Sequence, residues 1–210
     1  LAAQAGLMAL AQGGNAVDAA LTAAITLTVV EPTMNGIGGD AFAIIWDGQK
    51  IHGLNASGRA PGAWTPDYFA GKDKMPPIGW GSVTVPGVVS AWVSLSQRFG
   101  KLPFEQLFRA AIGYARDGFP VSPVIARQWA IARDTLAGQP GFADAFLNNG
   151  QSPAASEMWR FPAQADTLAE IAATKGEAFY RGAITDRMVD FAKRTGGVFT
   201  HEDFAAHHAD

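Results

Sequence analysis

The first thirty residues carry a pattern of small and apolar side chains that is typical of two packed helices. Residues Ala2–Gln12 are rich in Ala and Leu, and Gly13-Gly14 behind them is a natural helix end. Asn15 and Asp18 have the spacing of a capping box, which opens a second helix over the apolar run Ala16–Val30. The sequence therefore predicts a helical hairpin with a glycine corner.

A second pattern predicts a β-hairpin. The apolar run Ala41–Trp46 and the segment Lys50–Leu54 flank Asp47-Gly48, a strong two-residue hairpin signal. The first strand has Phe42, Ile44 and Trp46 on one face and only apolar residues on the other. We therefore expect both of its faces to be covered, which favours a layered architecture.

The rest of the chain is patterned mainly for helices. The clearest amphipathic period covers Pro103–Asp117, and Thr200 with Asp203 is a candidate capping box for a short final helix. Gly138–Arg160 is irregular. Further predicted helices are Val88–Arg98, Pro123–Leu136, Ala163–Thr174 and Ala183–Thr195. The pattern predicts a mostly helical α+β chain with two to four strands.

Composition narrows the class of protein. With 210 residues, 48% of them hydrophobic, the chain can bury one sizeable core, so we expect a single domain segment over 1–210. A net charge of −3 excludes a nucleic-acid binder that relies on phosphate neutralisation. The absence of Cys excludes disulfides, thiolate nucleophiles and Cys-ligated zinc.

No membrane span and no targeting signal is recognisable. The run Ala16–Val30 would rise about 22 Å as a helix, short of the ~30 Å hydrocarbon layer, and favours a buried core helix. The chain begins with Leu1 and has no basic n-region or cleavage site, so we expect that its front has been trimmed. The sequence therefore does not decide between a cytoplasmic and a periplasmic location.

Isolated motifs give no complete catalytic set. The loop Gly36–Ala41 fits a dinucleotide fingerprint by letter, but it follows a helix and leads into a strand, the reverse of the order that phosphate binding needs. A tight turn or a pocket-lining loop is the interpretation. His201-Glu202 lacks the second His of a zinc motif, so we predict no metal site, and His201 and His208 are expected on a solvated helix. His52 is expected to be a hydrogen-bonded strand residue.

The segment Ser57-Gly58-Arg59 is the most interesting polar turn. Arg offers a planar fork that matches a carboxylate, and Ser57 and backbone donors surround it. An Arg in a loop is more often solvated, and this pattern alone does not decide between the two roles.

A set of short motifs lies in order along nearly the whole chain. They are Gly13–Ala20, Val30-Glu31-Pro32, Gly36–Gly39, Arg59-Ala60-Pro61, Thr84–Gly87, Ala115–Phe119, Phe179–Gly182, and Gly196-Gly197 followed by Thr200–Phe204. Together they resemble the large subunit of the γ-glutamyltranspeptidase family. The resemblance implies part of an N-terminal-nucleophile hydrolase with an αββα sandwich, made as a precursor that cuts itself into a large and a small subunit.

The same resemblance implies how the chemistry is divided. The nucleophile is a Thr at the new amino terminus of the small subunit, expected beyond Asp210, and no catalytic residue is expected in this chain. The partners are the small subunit of the same precursor and a γ-glutamyl small molecule, and no cofactor is implied.

One departure concerns the substrate. The transpeptidase Arg that grips the α-carboxylate lies earlier in this loop, and the matching position before Ala60-Pro61 holds no Arg. Either Arg59, with Ser57 as its neighbour, reaches the carboxylate from a shifted loop, or the substrate differs.

We therefore predict γ-glutamyl transfer or hydrolysis as the function. The alternatives are an acylase of the same fold acting on other acyl amides, and a non-catalytic interaction module that has lost the catalytic half.

Overall fold

Ten α-helices and four short strands make up the chain, which a computed structural model describes over residues 1–210. The predicted α+β, mostly helical class is confirmed. The helices are α1 (Ala2–Ala11), α2 (Ala16–Val30), α3 (Val88–Phe99), α4 (Arg109–Asp117), α5 (Pro123–Leu136), α6 (Phe142–Phe146), α7 (Pro162–Thr174), α8 (Glu177–Arg181), α9 (Ala183–Thr195) and α10 (His201–Ala205). The strands are β1 (Ala41–Trp46), β2 (Ile51–Ala56), β3 (Phe119–Pro120) and β4 (Met158–Trp159).

The chain divides into two compact units. The first contains Leu1–Gly36 and Arg98–Ala173, and the second contains Ile37–Gln97 and Thr174–Asp210. The single domain segment expected over 1–210 stays a prediction. None of the helices combines the length and the apolar character needed to cross a bilayer.

In the first unit, the predicted helical hairpin of α1 and α2 is confirmed, and its corner is fixed by a buried carboxylate. The Asn15 side chain accepts from the backbone N–H groups of Val17 and Asp18, and Asp18 accepts from the Asn15 N–H at 2.9 Å. Asp18 also accepts from the N–H groups of Lys101 at 3.0 Å and Leu102 at 3.3 Å. One fully buried side chain thus joins the start of α2 to the segment before α4.

The helix predicted over Pro103–Asp117 is corrected at its start. Phe104–Phe108 forms a 3-10 turn, and only then does α4 begin at Arg109. A three-residue turn brings positions i and i+3 to the same side, which buries Phe104 and Leu107 together. The irregular region that follows α5 contains α6 and β4.

In the second unit, β1 and β2 pair antiparallel from Ala41 opposite Ala56 to Trp46 opposite Ile51. The hairpin predicted around Asp47-Gly48 is confirmed, but its loop covers residues 47–50, because the second strand begins and ends later than predicted. The expectation that other elements of this chain cover both faces of β1 is wrong. Phe42, Ile44 and Trp46 are 70%, 84% and 63% exposed, because the sheet has only two strands and no element of the chain packs on that face.

The remaining helices of the second unit support the loops that follow β2. Helix α9 has the predicted bounds, and the predicted capping box of Thr200 and Asp203 opens α10. Asp203 also accepts from the Gly62 N–H at 2.8 Å, which ties α10 to the loop after β2. This link positions the polar residues described below.

Candidate functional site

The two residues predicted to bind substrate, Ser57 and Arg59, lie in the exposed loop that follows β2. The Ser57 N–H donates to the Asn55 side chain at 2.9 Å, and the Gly58 N–H donates to Oδ1 of Asp40 at 2.7 Å. These two bonds fix the backbone on either side of Ser57. The structure thus places Ser57 and Arg59 in one loop, with no hydrogen bond between the Ser57 hydroxyl and Arg59.

Arg59 has one backbone hydrogen bond and one side-chain contact. Its carbonyl oxygen accepts from the Val85 N–H at 3.0 Å, and Nη2 lies 3.3 Å from Nε2 of His208. The guanidinium forms no ion pair with a carboxylate. Its positive charge is therefore exposed and available to an anionic group.

His208 belongs to a tail that is anchored beside β2. Its Nδ1 lies 3.2 Å from the Ala206 carbonyl oxygen, and its Nε2 lies 3.1 Å from Oδ1 of Asp210. The backbones of Asn55 and Asp210 exchange two hydrogen bonds of 2.8 Å. The expectation of His208 on a solvated helix is corrected: the residue is exposed, but it lies beyond the end of α10 and contacts Arg59.

Sequence reasoning missed the residue next to it. His207 is buried, 2% exposed, and its Nε2 lies 3.1 Å from Oγ of Ser90. Its ring stacks on Tyr180 at 5.4 Å between centroids. The signal that could have found it is the three-residue spacing from Phe204, which places both side chains on the inner side of the tail.

Burial sets the protonation states of His207 and Tyr180. Loss of solvent lowers the pKa of His207, and the nearby charges of Arg59 and His208 lower it further, against the raising effect of Asp210 and Asp40. Burial also raises the pKa of Tyr180 to about 12. Both rings are therefore neutral at neutral pH, whereas the nearby guanidinium of Arg59 keeps its positive charge.

The glycine-rich loop before β1 is part of the same frame. The Gly39 carbonyl oxygen accepts from the N–H groups of Gly87 at 3.0 Å and Val88 at 2.9 Å. A Cβ at Gly87 would overlap the Ala56 carbonyl oxygen, and a Cβ at Gly58 would overlap that of Val85. These positions need glycine because the two backbones approach too closely for a side chain. The loop follows α2 and precedes β1, the reverse of the strand–loop–helix order that phosphate binding needs.

The other candidate side chains have structural partners. Nε2 of His52 lies 2.6 Å from Asp47 at the tip of the β-hairpin, as a hydrogen-bonded strand residue. His201 lies 2.9 Å from Asp186, on exposed surfaces of α10 and α9. No group of three or more His, Asp or Glu side chains is arranged to hold a metal ion.

The anchored loops, the glycine contacts and the exposed Arg59 all belong to the second unit. The family profile described as gamma-glutamyltranspeptidase matches residues 2–210. The chain belongs to the γ-glutamyltranspeptidase family, and the resemblance stated from its motifs is confirmed.

Three relatives illustrate the range of the match. The chain is 36% identical, over its whole length, to the glutathione hydrolase-like YwrD proenzyme of Bacillus subtilis, and covers 41% of that protein. It is 37% identical, again over its whole length, to the oxamate amidohydrolase proenzyme of Klebsiella pneumoniae, and covers 41% of it. The crystal structure of cephalosporin acylase from Bacillus halodurans superposes on the whole chain with a TM-score of 0.94 and 45% identity, over 41% of the acylase.

The chain thus spans about two fifths of the length of these relatives. Its fold is that of part of an N-terminal-nucleophile hydrolase, as predicted. The relatives that are proenzymes are longer chains.

Proposed function

We propose that this chain is the large-subunit portion of an enzyme that hydrolyses or transfers γ-glutamyl amides, and that Arg59 binds the substrate carboxylate. The observation that carries the proposal is the exposed guanidinium of Arg59, which has no carboxylate partner and lies on a loop fixed by Asp40, Val85 and the tail at His208. A planar guanidinium on a rigid backbone can form two parallel hydrogen bonds to a carboxylate. Ser57, two residues before it, offers a hydroxyl at the edge of the same loop.

The bond-making steps require a Thr from the small subunit of the same precursor. Its hydroxyl oxygen attacks the amide carbonyl, its proton passes to the leaving amine, and the C–N bond breaks to leave an acyl ester on the Thr. Water or a second amine then attacks that ester, and the Thr regains its proton as the acid or the new amide departs. In this scheme Arg59 holds the acyl group still and takes part in no bond change.

The exposed face of β1 supports the need for such a partner. Phe42, Ile44 and Trp46 present three large apolar side chains to solvent on one strand, with Ile51 beside them on β2. Contiguous apolar surface of this kind marks an interface. A second sheet-bearing subunit would cover it and complete an αββα sandwich.

The first experiment uses the full-length precursor. Incubation is expected to give two bands on a denaturing gel and a protein that releases p-nitroaniline from γ-glutamyl-p-nitroanilide. An intact precursor that releases no product would contradict the proposal and favour the non-catalytic interaction module.

A second candidate, an acylase that acts on other acyl amides, is favoured by the position of Arg59. At the position where the resemblance places the carboxylate-binding Arg of transpeptidases, this loop has no Arg. A cephalosporin acylase is also among the similar structures. Glutaryl-p-nitroanilide keeps the carboxylate but lacks the α-amine of the γ-glutamyl compound. A kcat/KM that is higher for the glutaryl substrate would identify the acylase.

A further inference from the structure

The buried cluster of His207, Ser90 and Tyr180 is not used by the proposed chemistry. His207 is buried together with its Nδ1, and that nitrogen has no hydrogen-bond partner. A phenyl ring in this position would stack on Tyr180 without burying an unpaired nitrogen. Packing alone therefore does not explain why an imidazole stands here, and the explanation lies in the contact of its Nε2 with Ser90.

The hydrogen bonds around Ser90 settle which groups donate. The Ser90 hydroxyl donates to the Gly87 carbonyl oxygen at 2.7 Å, so its oxygen is left to accept from Nε2–H of His207 at 3.1 Å. This assignment places the proton of the neutral ring on Nε2 and leaves Nδ1 bare. His207 thereby keeps the Ser90 hydroxyl pointed at Gly87.

Tyr180 completes the hold on the same short segment. Its hydroxyl donates to the Pro86 carbonyl oxygen at 2.8 Å and accepts from the Ser90 N–H at 2.9 Å. The carbonyl oxygens of two consecutive residues, Pro86 and Gly87, are thus both fixed by the cluster. Buried side chains that hydrogen-bond to backbone atoms in this way specify one backbone position.

That segment is the surface on which the Arg59 loop lies. Gly87 is in such close contact with Ala56 that no Cβ fits, and the Val85 N–H donates to the Arg59 carbonyl oxygen. The residue that follows His207 in the chain contacts the Arg59 guanidinium directly. A single short tail therefore fixes the backbone of Arg59 through one histidine and its side chain through the next.

We propose that His207 is a positioning residue for Arg59: through Ser90 it holds the Pro86–Gly87 segment that supports the Arg59 loop, and so sets the affinity for the substrate carboxylate. The proposal rests on the proposed function, because it gives Arg59 the role of binding that carboxylate. Arg59 contacts the substrate, whereas His207 acts only through the backbone.

The test compares His207→Phe with His207→Gln in the full-length protein, since a Gln amide can still donate to Ser90. His207→Phe is expected to speed amide hydrogen exchange in residues 56–62 and to raise KM for γ-glutamyl-p-nitroanilide roughly tenfold to a hundredfold with little change in kcat. KM for 4-aminobutyryl-p-nitroanilide, which lacks the carboxylate, is expected to stay constant. His207→Gln is expected to restore both measurements.

Unchanged exchange in residues 56–62 of His207→Phe would overturn the inference, whatever the substrate. An equal rise in KM for both anilides would also overturn it, because the histidine would then be a general support. If Arg59→Ala leaves KM for both anilides unaltered, the proposed role of Arg59 fails, and the exchange measurement still decides whether His207 positions the loop.

Discussion

The backbones of Asn55 and Asp210 exchange two hydrogen bonds of 2.8 Å, so the tail that carries His207 and His208 runs beside the end of β2. Asn55 stands two residues before Ser57 and four before Arg59. The tail is thus anchored independently of the contact that His208 makes with Arg59, and the two can be separated by mutation.

Replacement of His208 by Ala is expected to weaken the hold on the Arg59 side chain without releasing the tail from β2. The tail stays in place through Asn55, while the guanidinium loses its one side-chain neighbour at 3.3 Å. We expect KM for γ-glutamyl-p-nitroanilide to rise about threefold to tenfold with kcat unchanged, since one weak polar contact is worth about 1 kcal/mol. The matched control is His201→Ala on α10, which removes an exposed partner of Asp186 on α9 and should leave KM unaltered. A fall in kcat without a change in KM would count against this role.

Gly87→Ala is expected to destabilise the protein. The added Cβ would overlap the Ala56 carbonyl oxygen, and overpacking against backbone costs about 1–3 kcal/mol of unfolding free energy. Gly38→Ala in the neighbouring loop is the control, because a Cβ there would meet no atom within 4 Å. Thermal denaturation of the full-length protein should show a lower midpoint for Gly87→Ala only. Equal midpoints for the two variants would refute the close approach.

Asp18→Asn is expected to loosen the corner of the first unit. The buried carboxylate accepts from the backbone N–H groups of Asn15, Lys101 and Leu102. The Asn side chain offers one acceptor oxygen, and its NH2 group faces backbone N–H groups to which it cannot bond. We therefore expect the free energy of unfolding to fall by about 2–3 kcal/mol. Asp117→Asn, at an exposed position in the last turn of α4, should change the free energy of unfolding by less than about 0.5 kcal/mol. A loss of similar size in both variants would contradict the special place of Asp18.

Acid is expected to destabilise the protein in part through His207. The unfolded chain takes up a proton at this residue near pH 6.5, whereas burial and the charges of Arg59 and His208 lower its pKa in the folded state. Stability from this group is therefore present above pH 6.5 and is lost as the pH falls below that value, against the opposing charges of Asp40 and Asp210. His207→Gln should therefore show a smaller difference between its unfolding free energies at pH 7.5 and pH 5.5 than the wild type, measured by chemical denaturation at both pH values. An unchanged difference would show that acid acts elsewhere.

The helices were predictable because their signals are local. The capping boxes at Asn15 and Thr200 and the bounds of α9 follow from residues within one or two turns of each other. The exposed face of β1 was not predictable in the same way. An apolar strand predicts cover on both faces, but in this chain no element packs on Phe42 or Ile44.

The site was predictable only in part for the same reason. Arg59 and Ser57 stood out because their residue types suit a carboxylate, and the structure places both in one exposed loop. The partners of Arg59 come from positions 85 and 208, and their approach depends on how the second unit folds. The three-residue spacing from Phe204 indicates on which side of the tail His207 lies, but its contact with Tyr180, far away in the sequence, could not be predicted.

The carboxylate role of Arg59 is tested most directly by kcat/KM of Arg59→Ala in the cleaved full-length enzyme on two anilides. For γ-glutamyl-p-nitroanilide we expect a loss of about 2–4 kcal/mol in transition-state binding, roughly 30- to 1,000-fold, and for 4-aminobutyryl-p-nitroanilide almost none. Arg127→Ala, at an exposed position on α5, should leave both values unchanged. Equal values of kcat/KM for wild type and Arg59→Ala on the γ-glutamyl substrate would contradict the account.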